Sequence, residues 1–395
     1  MAVKYIDGKN VTNKRVLLRV DFNVSLRKDS LTIADDERIR QSLPTIKMLL
    51  KGKNRLVIIS HLGRPKGVDM RFSLRNVAKR LETYLDGYKV KLIEDYLEDQ
   101  DQQKLVSQKV NEIYLLENIR FYGEEKKNES AFTKKLVKLG EVFVNDAFGV
   151  CHRTDSSVVG IPRYLPAFGG LLLKKEVEAI SDLMEKPKKP FLAILGGAKI
   201  STKIGVIDRL MRSVDQILIG GALANTFFAA EGYSIGKSFA EYENVEVARR
   251  LLYLARRHKV ELVLPVDVVV GKSEDEDTPG QVYKLDMVPP NKEILDIGPE
   301  TQAIFGQRIA GAKTIVWNGP VGLFENLQYA RGTDFIYYAL IQNVKAYTLI
   351  GGGDTLASIS KKEYLDKLSH ISTGGGAMLE YMEKGTLPGI EALDK

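Results

Sequence analysis

The sequence contains very little cysteine and no long apolar segment. Among 395 residues there is one cysteine, Cys151, which excludes an internal disulfide and a metal site built from several cysteines. No apolar run approaches the roughly 18 residues that a membrane-spanning helix requires. The first ten residues, Met1–Asn10, lack the apolar core of a secretory signal. We therefore expect a cytoplasmic protein in a reducing compartment, with no membrane association.

Charge is distributed unevenly along the chain. The net charge is +7, but residues 1–170 contain 31 Lys and Arg against 22 Asp and Glu, and the remainder contains 27 against 29. The first half is therefore basic, which is compatible with a solvated basic surface, a small anionic substrate or a nucleic acid. Zinc-finger spacing and the aromatic motif of RNA-recognition domains are both missing. We therefore do not expect nucleic acid as a partner.

Short apolar runs alternate with amphipathic stretches over the whole chain. Segments such as Asn244–His258 and Ser73–Leu85 have apolar residues at helical spacing. The apolar runs are three to five residues long, as in strands that are buried on both faces of a parallel sheet. Together these patterns predict an α/β fold. The predicted strands are Val16–Val20, Leu56–Ile59, Ile113–Leu116, Val142–Val144, Phe191–Leu195, Ile217–Ile219, Leu262–Leu264, Ile315–Trp317 and Tyr347–Ile350.

A domain boundary is predicted near residues 170–190. Two glycines, Gly169 and Gly170, precede a helical stretch, Leu171–Glu185, and two prolines within Lys186–Pro190 end it. We predict two doubly wound, Rossmann-like domains that are joined by this helix and enclose a hinged cleft. Residues 272–291, with four acids in Ser273–Asp277, are predicted to be a solvated loop. The predicted divisions are 1–170, the helix 171–186, 187–376, and a C-terminal segment 377–395.

The residues that follow the predicted strands differ between the two halves. Ligands of open parallel sheets bind beyond the carboxyl ends of the strands. In the first half these ends deliver Asp, Asn, His and Arg side chains, and arginine binds phosphate or carboxylate with two parallel hydrogen bonds. The chain segments concerned are Asp21–Asn23, Ser60–Lys66, Glu117–Arg120 and Asn145–Arg153.

In the second half the strand ends carry glycine, which lets backbone amides approach an anion. The glycines are at 196–197, 220–221, 319, 351–353 and 374–376. Asp354 is the candidate for a magnesium-facing carboxylate, and it is also a candidate cap for a helix that begins near Thr355. Lys199 and Lys203 are four residues apart, which predicts that they share one helix face at a phosphate site.

The two competing classes of protein are a nucleic-acid-binding protein and a dinucleotide-dependent oxidoreductase. A dinucleotide-dependent oxidoreductase needs a G-x-G-x-x-G fingerprint, which the sequence lacks. Gly232–Ser238 is one residue too short for a Walker loop. A thiol nucleophile at Cys151 is disfavoured, because the strand ends already supply groups for phosphate chemistry. An Arg-rich half and a Gly-rich half instead indicate a kinase that acts on a small phosphorylated acid.

Eight long motifs, which follow one another along the chain in the order given below, resemble those of the phosphoglycerate kinase family. They extend over nearly the whole chain and are specific in combination. They are Arg19–Val24, Ser60–Lys66, Leu116–Phe121, Val144–Gly149, Leu195–Lys199, Trp317–Gly322, Ile350–Thr355 and His370–Gly376.

The resemblance implies a reversible transfer of a phosphoryl group from 1,3-bisphosphoglycerate to MgADP, which gives 3-phosphoglycerate and MgATP. Mg²⁺ would be bound with the nucleotide, and the family is usually monomeric. The implied substrate-binding residues are Asp21, Phe22, Asn23, Arg38, His61, Leu62, Gly63, Arg64, Arg120 and Arg153. The implied nucleotide-binding residues are Lys203, Asn318, Pro320, Glu325, Gly351, Gly352, Gly353, Asp354 and Thr355, with Asp354 facing the metal. Arg38, Lys199, Lys203 and Gly375 would act on the phosphoryl group in transit.

The sequence departs from the family pattern at a few positions. Asp155 stands where many members have a histidine that makes a contact at the domain interface. Asn225 and Ile294 replace a tyrosine and a glycine on the nucleotide side. None of these positions belongs to the residues implied in phosphoryl transfer.

Overall fold

The computed structural model describes residues 3–27, 30–97, 107–273 and 278–394. The chain divides into two units: unit 1 is Met1–Glu178 with Thr386–Lys395, and unit 2 is Ala179–Gly385. Each unit contains a six-stranded parallel sheet with helices between its strands. The predicted α/β class with two parallel sheets is confirmed. Among the described residues, no helix combines the length and the apolar character that crossing a membrane requires.

Unit 1 is built around strand β1, which lies inside its sheet. Its strands are β1 Arg15–Arg19, β2 Ser25–Leu26, β3 Ile33–Asp35, β4 Arg55–Ile59, β5 Lys89–Ile93, β6 Glu112–Leu116, β7 Val142–Asn145 and β8 Ala167–Gly169. Its helices are α1 Glu37–Lys51, α2 Arg75–Glu82, α3 Gly123–Lys127, α4 Ser130–Val137 and the first part of α5 Leu171–Glu185. The parallel sheet has the order β5-β6-β4-β1-β7-β8, and β2 and β3 form a separate antiparallel pair.

Unit 2 has a different strand order around its first strand. Its strands are β9 Phe191–Leu195, β10 Gln216–Ile219, β11 Glu261–Val263, β12 Asp267–Gly271, β13 Gln281–Lys284, β14 Glu293–Ile297, β15 Thr314–Asn318, β16 Tyr347–Gly351 and β17 His370–Ser372. Its helices are α6 Ile204–Leu210, α7 Ala222–Glu231, α8 Val245–His258, α9 Pro299–Gly311, α10 Arg331–Gln342, α11 Gly353–Ala357 and α12 Gly375–Lys384. The order β11-β10-β9-β15-β16-β17 is that of a dinucleotide-binding sheet.

All nine predicted apolar runs are strands of these two sheets. Central strands such as β6 and β9 are buried at every residue, as a sheet covered by helices on both faces requires. The prediction of a loop over residues 272–291 was wrong in part. Strand β13 pairs with β12 in a three-stranded antiparallel sheet, and Leu285–Met287 forms a short 3₁₀ helix. The acidic residues 274–277 lie outside the described residues.

Helix α5 carries the boundary between the two units, between Glu178 and Ala179. Its first backbone amides are capped by unit 1: Asp146 Oδ1 accepts hydrogen bonds from Leu172 (2.8 Å) and Leu173 (3.1 Å). The C-terminal segment predicted at 377–395 is divided between the two units. Residues 377–384 belong to α12 of unit 2, which buries one apolar face, and a last helix, α13 Pro388–Glu391, belongs to unit 1.

Candidate active site

In unit 1, the register of the sheet brings three strand ends to one level. Arg19, the last residue of β1, pairs with Ile59 of β4 and with Asn145 of β7. The chain runs from β1 to β4 on one side and reaches β7 on the other side, so the strand order reverses at β1. Such a reversal leaves a crevice beyond the carboxyl ends. Asp21 and His61 follow directly at this position.

Asp21 is the centre of a buried ionic group in unit 1. Its carboxylate accepts a hydrogen bond from the Arg38 guanidinium, which comes from the first turn of α1, and lies 3.8 Å from Nε2 of His61. Burial alone would raise the pKa of Asp21, but the charges of Arg38 and Arg19 outweigh burial and hold that pKa well below its usual range. Asp21 is therefore ionised, and it orients Arg38.

The loop after β4 is fixed by polar contacts to its neighbours. Asn23 Oδ1 accepts a hydrogen bond from the Gly63 amide (2.7 Å), and the Gly63 carbonyl accepts one from Arg120 (2.6 Å). Asn118 donates to the carbonyl of Leu62 at 2.8 Å. Gly63 has a φ of +63°, which favours glycine. These contacts join Asn23, Leu62, Gly63 and Arg120 in one arrangement.

Several arginine side chains place positive charge near the loop that follows β4. Burial, followed by the charges of Arg153 and Arg19, lowers the pKa of Arg120 to about 10. Arg153 is half-buried, and its Nε has no hydrogen-bond partner in the described part of the chain. Arg64 is exposed and takes no part in this hydrogen-bond network as far as the described residues show. Because these positive charges repel one another, an anion that binds between them would be stabilised.

Arg19, which was not predicted as a site residue, lies next to His61 in unit 1. Its side chain is buried, and it lies 3.3 Å from Nδ1 of His61. A charged residue inside the apolar run Val16–Val20 was the available signal. Phe22, which was included, is fully buried, and its backbone amide donates to Ser60 Oγ at 2.8 Å. Phe22 therefore contributes its backbone and its packing to the loop.

In unit 2, glycines allow backbone segments from neighbouring strand ends to meet. A Cβ on Gly196 would lie 2.1 Å from the carbonyl oxygen of Pro320, and Gly197 has a φ of +89°. The Gly197 amide donates to the same carbonyl at 2.7 Å. No other residue fits at Gly196 without displacing backbone. Pro320 is buried, whereas Glu325, on the segment after β15, is exposed.

Lys203 is a buried cation at the same edge of the sheet. Its Nζ donates to Asn318 Oδ1 at 2.5 Å, and Asn318 Nδ2 donates to the Gly351 carbonyl at 2.7 Å. Burial lowers the pKa of Lys203 to about 8, and the negative charge of Asp354 acts in the opposite direction. A lysine held this way loses its proton more easily than a solvated lysine, and a bound phosphate would favour its charged form.

Two predicted local structures are corrected. Lys199 and Lys203 do not share a helix face, because α6 begins at Ile204 and Lys203 caps it, while Lys199 is exposed in the preceding turn. Asp354 is not a helix cap, because Gly352, with a φ of +116°, caps α11. Asp354 lies exposed in the first turn of that helix.

The glycines after β16 and β17 come into close contact. A Cβ on Gly375, the first residue of α12, would lie 2.7 Å from Cα of Gly352. The hydroxyl of Thr355 accepts a hydrogen bond from the Gly319 amide (2.7 Å) and donates to the Gly351 carbonyl (3.0 Å). The predicted residues from Gly351 to Thr355 are thereby held against Asn318 and Gly319.

Asp354 offers a single carboxylate to a metal ion. Within the described ranges there is no cluster of three or more His, Cys, Asp and Glu side chains that could hold a metal by itself. Magnesium typically keeps one or two protein carboxylates and takes its other ligands from substrate phosphates and water. The donor set therefore fits a metal that arrives with a nucleotide and does not fit a resident metal centre.

A family model described as phosphoglycerate kinase matches residues 6–385. The chain belongs to the phosphoglycerate kinase family. It is 44% identical over 394 residues to the phosphoglycerate kinase of Pelotomaculum thermopropionicum, with 100% of this chain and 99% of the relative covered. The phosphoglycerate kinase of Dictyoglomus turgidum is 45% identical over 385 residues, covering 98% and 96%.

Solved structures of the phosphoglycerate kinase family also match the whole fold. The enzyme of Coxiella burnetii has a TM-score of 0.86 at 41% identity and covers 100% of this chain and 99% of its own. That of Pyrococcus horikoshii OT3 has a TM-score of 0.85 at 31% identity, covering 99% and 98%. Membership in this family identifies the chain as a kinase phosphotransferase and not as a dinucleotide-dependent oxidoreductase.

The departures from the family pattern occupy defined places in this chain. Asp155 is buried, and its charge acts on Arg19 and Arg120 of unit 1. Asn225 donates from α7 to the carbonyl of Phe239 at 3.0 Å. Ile294 lies on β14 at a narrow cleft of unit 2. The negative charge of Asp155 thus partly offsets the positive charges of Arg19 and Arg120.

Proposed function

We propose that this chain catalyses the reversible transfer of a phosphoryl group from 1,3-bisphosphoglycerate to MgADP, giving 3-phosphoglycerate and MgATP. The observation that carries the proposal is the family match over residues 6–385. The geometry of each unit supports it, since one presents cationic side chains and the other presents glycine-lined backbone.

Unit 1 would bind the glycerate substrate. Arg64, Arg120 and Arg153 suit the 3-phosphate, because guanidinium groups bind phosphate oxygens in pairs. Asp21, oriented by Arg38, would accept a hydrogen bond from the substrate hydroxyl. The transferred group leaves from a carboxylate, so this reaction needs no general base at Asp21.

Unit 2 would bind the nucleotide with its magnesium. The amides around Gly351, Gly352 and Gly353 can approach phosphate oxygens closely, and Asp354 would face Mg²⁺. Asn318 and Pro320 would line the adenosine side, with Glu325 further along the same segment. Thr355 would hold this segment in place through its contacts with Gly319 and Gly351.

Arg38, Lys199, Lys203 and Gly375 would act on the phosphoryl group itself. The transition state spreads negative charge over the transferred oxygens, so preorganised cations and amides stabilise it more than the ground state. Arg38→Ala should therefore lose turnover by roughly 10²–10⁵ while it retains 3-phosphoglycerate binding through the other arginines. Arg38→Lys should restore only part of the rate, because a point charge does not reproduce the guanidinium geometry.

A coupled assay of ATP consumption with 3-phosphoglycerate as acceptor tests the proposal directly. Turnover that requires 3-phosphoglycerate, ATP and Mg²⁺ together supports it. The absence of turnover in correctly folded protein, or equal turnover with glycerate, would contradict it. Binding of each substrate alone, measured by calorimetry, separates a lost binding site from a lost chemical step.

Closure of a hinged cleft is a further part of the proposal. Chemistry of this kind requires exclusion of water from the phosphoryl group. We expect a smaller radius of gyration in small-angle scattering for the ternary complex than for either binary complex. We also expect a cytoplasmic monomer, and light scattering at several concentrations measures the oligomeric state.

A further inference from the structure

Arg19 is a buried guanidinium with a defined partner for each of its nitrogens. It occupies the last position of β1, with 1% of its surface exposed. Nε donates to Ser157 Oγ at 2.8 Å, Nη1 donates to the carbonyl of Val20, and Nη2 lies 3.3 Å from Nδ1 of His61. The side chain therefore connects the interior of unit 1 with His61.

Ser157 continues this connection to a buried carboxylate. The Ser157 hydroxyl donates to Glu125 Oε1 at 2.5 Å, and its backbone amide donates to Oε2 at 3.0 Å. Glu125, on α3, is completely buried. The hydroxyl accepts from Arg19 and donates to Glu125, so the hydrogen bonds run in one direction from cation to hydroxyl to carboxylate. Such a chain has no mismatched donor or acceptor.

The same geometry defines the protonation of His61. Guanidinium is a donor only, so Nδ1 of His61 must accept the hydrogen bond from Arg19 and carries no proton. Burial, together with Arg19, Arg120 and Arg38, holds the pKa of His61 well below its ordinary value, so the ring is neutral. The proton of the neutral ring is then on Nε2, which faces Asp21 at 3.8 Å.

Several charges bear on Glu125. Burial raises its pKa to about 7, while Arg19 and the Ser157 hydrogen bonds act in the opposite direction and Asp155 adds to the rise. The buried Tyr96 also senses the charge of Glu125. Arg19 needs a nearby anion, because an unpaired guanidinium in the interior would be strongly disfavoured. Glu125, Asp21 and Asp155 all act on Arg19 with negative charge, Glu125 most strongly, and Glu125 lies outside the proposed substrate-binding residues.

We propose that Glu125 and Ser157 are positioning residues for the proposed substrate site of unit 1: through Arg19 they hold His61 as the Nε2–H tautomer, with that N–H directed toward Asp21. Neither side chain would contact the substrate. The consequence for catalysis rests on the proposed function, whereas the tautomer of His61 does not.

The tautomer is measured first, on the complete protein without substrate. The chain has four histidines, so ¹⁵N-labelled protein gives few ring signals, and comparison with His61→Gln assigns that of His61. In the parent, Nδ1 should have the ¹⁵N shift of an unprotonated nitrogen and Nε2 that of a protonated one. Ser157→Ala should move both shifts toward a mixture of tautomers, and Glu125→Gln should move them in the same direction.

Ser156→Ala is the matched control. Ser156 is the neighbouring residue, is equally buried, and its hydroxyl has no hydrogen-bond partner among the described residues. This variant should leave the His61 shifts unchanged. Thermal unfolding and the remaining histidine signals of each variant show whether it is folded. If Ser157→Ala does not fold, Glu125→Gln carries the test.

Steady-state kinetics give the second measurement. Ser157→Ala should raise KM for 3-phosphoglycerate by about three- to tenfold, as the loss of one buried hydrogen bond predicts, and leave KM for ATP unchanged. If folded Ser157→Ala and Glu125→Gln keep the parent His61 shifts, the proposal is overturned. If the His61 shifts move in these variants but KM for 3-phosphoglycerate does not change, the positioning role of Ser157 and Glu125 is overturned. A parent protein without 3-phosphoglycerate kinase activity would refute the proposed function and leave the tautomer result standing.

Discussion

Each of the two units has its own six-stranded parallel sheet, yet the residues at the strand ends differ in their chemistry. In unit 1, charged side chains follow the strands, and they are held by one another, as Arg38 is by Asp21. In unit 2, glycines follow the strands, and backbone is packed on backbone, as Gly196 is on Pro320. The same sheet edge can thus be made to suit an anion with side chains or with main-chain amides.

This difference predicts different sensitivities to mutation. Removal of one side chain in unit 1 leaves the backbone and the other cations in place. Addition of one methyl group in unit 2 forces backbone segments apart. Lys203 is the exception in unit 2, because it is a buried cation whose proposed role depends on its side chain.

The largest effect is expected for Lys203→Ala. Turnover should fall by roughly 10²–10⁵, because a preorganised cation at the transferred group is lost, while nucleotide affinity should change little. Lys284→Ala, on an exposed ion pair with Glu300, is the control. Retention of turnover within tenfold of the parent would exclude the role of Lys203 in the transition state.

The same lysine predicts a pH dependence. The pKa of Lys203 is lowered to about 8, so in the free enzyme it loses its charge as the pH rises through that value. The value of kcat/KM for the nucleotide should therefore decline above about pH 8. Lys203→Arg, which keeps its charge at this pH, should be slower but should lack the decline.

Gly375→Ala is expected to have the next largest effect. The added Cβ would lie 2.7 Å from Cα of Gly352, so the backbone must shift, and a displacement of about 1 Å at reacting groups costs on the order of 10² in rate. Gly376→Ala is the control, because a Cβ there meets nothing within 4 Å. Equal turnover numbers for the two variants would show that the close contact between Gly375 and Gly352 is not needed for activity.

Arg120→Ala should weaken 3-phosphoglycerate binding by about 10- to 150-fold, the usual value of one hydrogen bond to a charged group. The remaining arginines should prevent complete loss. Calorimetry with 3-phosphoglycerate measures the effect, and Arg75→Ala, an exposed arginine paired with Glu94, is the control. An unchanged dissociation constant would remove Arg120 from the proposed anion site.

Cys151→Ala should have the smallest effect. The thiol is buried, and burial raises its pKa to about 12, so it is not a nucleophile at neutral pH. Turnover should stay within a few-fold of the parent. A loss on the order of 10³ would show a catalytic thiol.

Most of the strands that the sequence predicted lie inside the two sheets, where packing buries both faces; β11, which was also predicted, is an edge strand with partly exposed residues. Three edge strands were not predicted: β5, β8 and β17. Strand β5, Lys89–Ile93, alternates lysine with apolar residues and is only partly buried, so its composition does not distinguish it from a loop. An edge strand has one neighbour and more solvent, and therefore weaker constraints on its residues.

Some residues of the candidate site could be predicted from the sequence, and others could not. Asp21 and His61 could be predicted because they follow apolar runs directly. Glu125 could not, because its burial depends on Ser157 and Arg19, which are distant in sequence. The spacing of Lys199 and Lys203 is equally compatible with a helix and with the turn that precedes α6, and only packing decides between them.

The order of the chain has a consequence for biosynthesis. The backbone amide of Gly389 donates to the carbonyl of Cys151 at 2.8 Å, and Ala392 packs on the small apolar cluster of Ala147, Val150, Val158 and Val159. All of unit 2 lies between these contacting segments in the sequence. On the ribosome, unit 2 therefore emerges completely before unit 1 has all its residues. That cluster stays uncovered during translation, although domains generally fold from the N-terminus onward.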